Sequence, residues 1–107
     1  MLPCVFKYTA KPMTITVFKA SLSEKTPPAG LNELAQALWH DAQGDWHKAH
    51  EIAQSNEGHP RYDALHAYLH RKEGDQWNAN YWYRRAGRKM PATSLDAEWE
   101  ALVIEFL

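Results

Sequence analysis

Ala37-Leu38-Trp39-His40-Asp41-Ala42-Gln43-Gly44-Asp45-Trp46-His47-Lys48-Ala49 decides the fold, because its frame returns 30 residues later as Ala67-Tyr68-Leu69-His70-Arg71-Lys72-Glu73-Gly74-Asp75-Gln76-Trp77-Asn78-Ala79. Ala, His, Gly, Asp and Ala recur at the same offsets. A repeat of this length marks a supersecondary unit that buries its apolar face against its copy. Gly44 and Gly74 suit the left-handed residue that closes a helix. Asp45 and Asp75 suit the cap of a following helix, where a carboxylate accepts a backbone N–H of the first turn. Each copy therefore predicts helix, stop, cap and helix.

Apolar spacing extends the pattern outward. Leu31, Leu34, Ala35, Leu38, Trp39 and Ala42 form one stripe and predict a helix over 31–43. Trp46, Ala49, Ile52 and Ala53 predict the next over 46–55. Pro60 fits a first helical position, and Tyr62, Leu65 and Leu69 share a face of a helix over 61–73. Ala79, Trp82, Tyr83 and Ala86 do so over 76–88, and Leu95, Trp99, Leu102 and Phe106 over 95–107 behind a Ser94 cap. Ile15, Phe18 and Leu22 suit a short helix over 15–23, although Ile15 and Val17 also alternate as in a strand. The expected fold is all-α: two stacked antiparallel helical hairpins with flanking capping helices, in a single domain over 13–107. Met13 is a second candidate start, and residues 1–12, with Pro3 and Pro12, read as an N-terminal tail.

The second copy resembles a tetratricopeptide (TPR or Sel1-like) repeat through Ala67, Gly74, Ala79, Tyr83, Ala86 and Pro91. The first copy keeps Ala37, Gly44 and Ala49 but has Ala53 where that motif carries a bulky aromatic. The period of 30 is shorter than the usual repeat of about 34. The strings Leu38–Ala42 and His66–Asp75 also resemble a small family of bacterial proteins, a likeness that carries no activity with it. The tetratricopeptide resemblance implies stacked hairpins that bind a protein or peptide on a helical surface.

Composition narrows the classes. A net charge of −1 gives no global field toward nucleic acid or anionic lipid. The one cysteine, Cys4, forms no internal disulfide or thiolate zinc cluster and fits a cytoplasmic setting. No apolar run reaches the roughly 18 residues of a membrane helix. No Gly-rich phosphate loop or nucleophile motif is present, so the sequence gives no sign of an enzyme.

Two constellations remain. His66 and His70 stand at i, i+4, the spacing with which one helix face offers two imidazoles to a metal ion. His50 on the preceding helix is the third expected ligand, with His40 and Asp63 as other choices, and zinc as the expected ion. Tyr81-Trp82-Tyr83-Arg84-Arg85 mixes rings and cations. Trp82 and Tyr83 fall on the inward face, and Arg85 or Arg88 would pair with Glu98 or Glu100. The leading expectation is a protein- or peptide-binding scaffold, with self-association as a variant, and no cofactor. Its surface would be the groove side of the 31–43 and 61–73 helices, with His40, His66, His70 and Arg71, extended by Tyr81, Arg84 and Arg85. A metal- or small-ligand-binding protein built on His66 and His70, with hydrolysis among its conceivable activities, is the alternative. Weak nucleic-acid binding through 76–88, where bases stack on rings, is the third.

Overall fold

Asp63 to Leu69 are seven consecutive buried residues. A helix that buries every side has neighbours on every side, and this one does. The computed structural model describes residues 12–107. Its elements are α1 (Ile15–Ser21), α2 (Glu33–Ala42), α3 (Trp46–Gln54), α4 (Pro60–Lys72), α5 (Gln76–Arg85) and α6 (Leu95–Phe106). No strand occurs among the described residues, which are all-helical in their regular elements. Apart from Pro12, the tail expected over 1–12 lies outside the described residues. The enclosed helix is α4, which packs against α2, α3, α5 and α6.

The Gly-Asp pairs do what their chemistry predicts. Gly44 and Gly74 take φ of 87° and 90°, a region that costs a residue with a Cβ. Gly44 N–H donates to Asp41 O and Asp45 N–H to His40 O. Gly74 and Asp75 repeat these bonds on Arg71 O and His70 O. This double closure is the Schellman motif, which satisfies carbonyls that a helix end leaves free. The Asp45 and Asp75 carboxylates then accept from Lys48 N and Asn78 N at 3.1 Å each.

Some boundaries differ from the spacing, for local reasons. Asn32 Oδ1 accepts from Ala35 N, so α2 starts at Glu33 and not at Leu31. Gly87 N–H bonds Arg84 O and Arg88 N–H bonds Tyr83 O, which closes α5 at Arg85, before the expected 88. The strand alternative at Ile15 and Val17 is not realised. Thr14 caps α1, and Phe18 is fully buried.

The main core joins Phe18, Leu38, Leu65, Leu69, Trp99 and Phe106, and so unites α1, α2, α4 and α6. A smaller cluster, Ala67, Ala79, Trp82 and Tyr83, joins α4 to α5. Indole donors bolt the helices together. Trp99 Nε1 reaches Leu38 O at 3.1 Å, and Trp46 Nε1 reaches Leu69 O at 2.8 Å. The expected pairing of Arg85 or Arg88 with Glu98 or Glu100 is not what forms. Arg88 grips Glu105 with both guanidinium nitrogens, and buried Glu98 takes Arg71 at 2.7 Å. Glu98 also accepts from Tyr83 Oη. It opens α6 beside the end of α4, within reach of Arg71, whereas Glu100 pairs with Lys19.

Arg71 and Glu98 are a testable joint. Removing the cation strands a buried carboxylate, which costs about 3 kcal/mol. Arg71→Ala therefore lowers the melting temperature by about 10 °C or more, and adding Glu98→Gln recovers part of the loss. A urea melt of Arg71→Ala within 1 kcal/mol of wild type would remove this pair from the structural frame.

The histidine seam between α3, α4 and α5

α4 carries polar residues on all its faces, and they divide into two groups. Toward α2, Tyr68 Oη donates to Asp41 Oδ2 at 3.2 Å and Lys72 Nζ reaches Asp41 Oδ1 at 2.9 Å. Toward α6, Arg71 holds Glu98. Buried Asp41 and Glu98 are thus fully matched. Burial and these carboxylates raise the pKa of Tyr68 and Tyr83, so both phenols stay protonated donors.

The face toward α3 and α5 is different. His50 of α3 and His66 of α4 share a hydrogen bond between their Nε2 atoms at 3.0 Å, one ring donating and the other accepting. His70, one turn after His66, stacks on it with centroids 4.9 Å apart. One nitrogen from each of the three lies within 4.8 Å of the others. Two indoles wall the cluster. Trp46 stacks on His50 at 4.7 Å and 11°, and Trp82 stacks on His66 at 3.9 Å and 17°. His70 Nδ1 donates to Glu73 Oε2 at 2.7 Å.

Two buried side-chain atoms find no partner among the described residues, and both belong to α4: His66 Nδ1 and Asp63 Oδ2. His66 is 3% exposed and Asp63 is 0% exposed. Asp63 spends its other oxygen on Gly58 N–H at 3.1 Å. Burial, and then the adjacent His50 and His70, push the His66 pKa down to about 3. Burial lowers His50 too, with His70 as the next cause. A ring held neutral keeps a lone pair, which is the state in which imidazole binds a metal ion or accepts a proton.

The expected site residues divide accordingly. His50, His66 and His70 come together. His40 holds the same position before its Gly-Asp turn as His70, yet it lies edge-on to Trp39 at 5.3 Å and apart from the cluster. Arg71 is spent on Glu98 and on Thr93 O. Tyr81 and Arg85 sit on the outer side of α5, with the guanidinium 5.8 Å from the Tyr81 ring and 5.1 Å from Trp82. Arg84 is exposed there. Helix α6 packs on both α2 and α4. Sequence reading missed Glu73 as a partner of His70 and Trp46 and Trp82 as ring walls. The i, i+3 spacing of His70 and Glu73 was the available signal for the first.

A cavity of about 370 Å³ lies elsewhere, lined by Lys19, Asp41, Tyr68, Lys72, Trp99 and neighbours. Its cations are engaged, Lys72 on Asp41 and Lys19 on Glu100. No helix is long and apolar enough to cross a membrane among the described residues. No protein-family model, curated protein or solved structure matches the chain.

The lowered histidines set a pH dependence. Below the unfolded value of about 6.5, the unfolded chain binds protons that folded His66 refuses, so stability falls with falling pH. In chelator-treated protein, stability is full above about pH 6.5 and declines toward pH 3, by at most about 1.4 kcal/mol per pH unit for this ring. Urea melts from pH 7.5 to 4 check this. His66→Leu flattens the profile, and an unchanged profile would show that His66 does not titrate as its burial requires.

Proposed function

We propose that this protein is a small helical binding module whose working site is the histidine seam where α3 and α5 meet α4. The observation that carries it is the unspent polarity of His66 and Asp63 on the enclosed helix. A buried polar atom without a partner costs about 1–3 kcal/mol. Leucine at position 66 would pack between Trp82 and α3 without that cost. Side chains that lower stability where an apolar one would raise it mark functional sites, since proteins trade stability for function. The finer fold reading belongs to the same proposal: two antiparallel hairpins stacked as in a tetratricopeptide array, in a bacterial cytoplasmic protein. The Schellman turns and the packing of α2 on α3 and α4 on α5 support it.

The test is a substitution that a packing role would not survive. His66→Leu with His50→Leu is expected to be neutral or to stabilise the fold by about 1 kcal/mol, because the imidazole pair is removed together, and His66→Leu alone to cost no more than about 1 kcal/mol, since half-buried His50 can turn its freed Nε2 to water. If both proteins instead lose 2 kcal/mol or more, the histidines serve packing and the seam is no site.

A protein- or peptide-binding reading keeps one observation in its favour. Trp77 is 75% exposed and stacks parallel to Tyr81 at 6.2 Å, beside Arg84 and Arg85. Exposed aromatic and Arg side chains are the usual anchors of an interface. Peptide display against wild type and a Trp77→Ala/Tyr81→Ala protein separates the two readings. Enriched peptides should lose binding to the double variant, and enrichment that ignores the substitutions sinks this surface.

A further inference from the structure

We propose that the seam takes one divalent transition-metal ion, zinc in the first instance, on His50, His66 and His70, with Glu73 and Asp63 as the carboxylates that orient two of the three rings. The inference rests on the seam being the working site and adds the identity of its ligand.

The donor set decides the class of ligand. Three imidazoles with no thiolate or carboxylate among them suit zinc, copper(II) or nickel, and do not suit magnesium or calcium. The spacing is close to what an ion needs. With zinc–nitrogen distances of about 2.0–2.1 Å in a tetrahedral site, ligand nitrogens stand about 3.4 Å apart. His50 and His66 Nε2 stand at 3.0 Å, and the third nitrogen is within 4.8 Å. A slight opening of one pair and a slight closing of His70 make the tripod. Two ligands come from α4 at i, i+4 and the third from α3, so the ion would bridge the two repeats. The fourth position is left to water or an outside donor.

The outer contacts fit the same chemistry. A metal-bound histidine generally donates its other N–H to a carboxylate or carbonyl, which fixes its tautomer and orientation. His70 Nδ1 already donates to Glu73 Oε2, leaving Nε2 for the ion. His66 presents Nε2 to His50, so binding there leaves the proton on Nδ1, the atom that lacks a partner. Asp63, one turn earlier on α4, holds the complementary leftover, an acceptor oxygen. With Nε2 of His66 on the ion, the two unsatisfied atoms become a donor and an acceptor on the same helix, three residues apart. Each α4 histidine has a carboxylate three residues away, on opposite sides along the helix. Ion binding would settle the tautomer of His66 and draw Asp63 Oδ2 onto Nδ1. Two orphaned atoms of α4, one close nitrogen pair and one engaged carboxylate then have a single explanation.

The experiment uses untagged full-length protein freed of metal with a chelator, titrated with zinc chloride by calorimetry and with cobalt(II) by visible absorption. One zinc per chain at micromolar affinity or tighter, a tetrahedral cobalt spectrum and a higher melting temperature with zinc are expected. His50→Ala and His70→Ala should each weaken binding more than 100-fold. Both are half-buried, so they report even if His66→Ala fails to fold. Glu73→Gln and Asp63→Asn keep shape and should weaken zinc binding about 10- to 100-fold. His40→Ala and His47→Ala should change nothing. Absence of stoichiometric zinc binding, or binding that survives His50→Ala with His70→Ala, overturns the ion. In that case a stable His66→Leu protein still upholds the seam with a different ligand, whereas a destabilised one removes the seam reading as well. Zinc binding untouched by Glu73→Gln and Asp63→Asn overturns the two positioning roles alone.

Discussion

The enclosure of α4 is the constraint on which the rest depends. A helix with seven successive buried residues has no side on which to leave a polar group to water. Each polar residue placed on it must be met by a specific partner from a specific neighbour. Asp41 of α2 is met by Tyr68 and Lys72, and Glu98 of α6 by Arg71. These bonds fix the rotation of α4 about its axis far more tightly than apolar contact could, since leucines tolerate a shift that a carboxylate bond does not. With the rotation fixed, His66 and His70 have one direction left, toward α3 and α5.

Register along the axis comes from the turns. The Schellman closures at Gly44 and Gly74 end α2 and α4 at equivalent points, and the Asp45 and Asp75 caps start α3 and α5 at once. Trp46, the first residue of α3, hooks Leu69 O on α4 through its indole nitrogen. His50 follows one turn later and so arrives level with His66 and His70. The repeat thus sets the height of the histidines without containing them all, because His50 has Asn80 as its counterpart in the second copy. The Gly-Asp pairs hold the frame, and the departures from the repeat fill it.

This division explains what could be read from the sequence. Helix positions, caps and stops are local, so spacing and capping chemistry revealed them, and the i, i+4 relation of His66 and His70 came with them. The convergence of His50 depends on which face of α3 meets α4. Periodicity shows that a face is apolar without saying which neighbour covers it. For the same reason Arg71, which looks like a free cation at the end of a helix, turns out to be committed to Glu98. Helix α6 reads as a cap in sequence, and it packs along both α2 and α4. His40 shows the limit most sharply. It matches His70 in the repeat, yet no neighbour brings further imidazoles to it, and identical frames acquire different surroundings.

The physical character of the seam follows from its walls. Imidazole rings left in a polar pocket would sample several rotamers, and an ion or ligand would bear the cost of ordering them. Here His50 lies flat on Trp46 and His66 flat on Trp82. Stacking of this kind adds about 0.5–1.5 kcal/mol beyond burial alone, and it opposes the rotations that would let the nitrogens drift apart. The indoles are themselves held, Trp46 by its bond to Leu69 O and Trp82 by burial against Ala67, Ala79 and Tyr83. Preorganisation of this sort costs the folded state two orphaned atoms. That cost is bearable because the matched carboxylates on the other faces of α4 hold the helix in place regardless. A site can be strained on one face only where the remaining faces are secure.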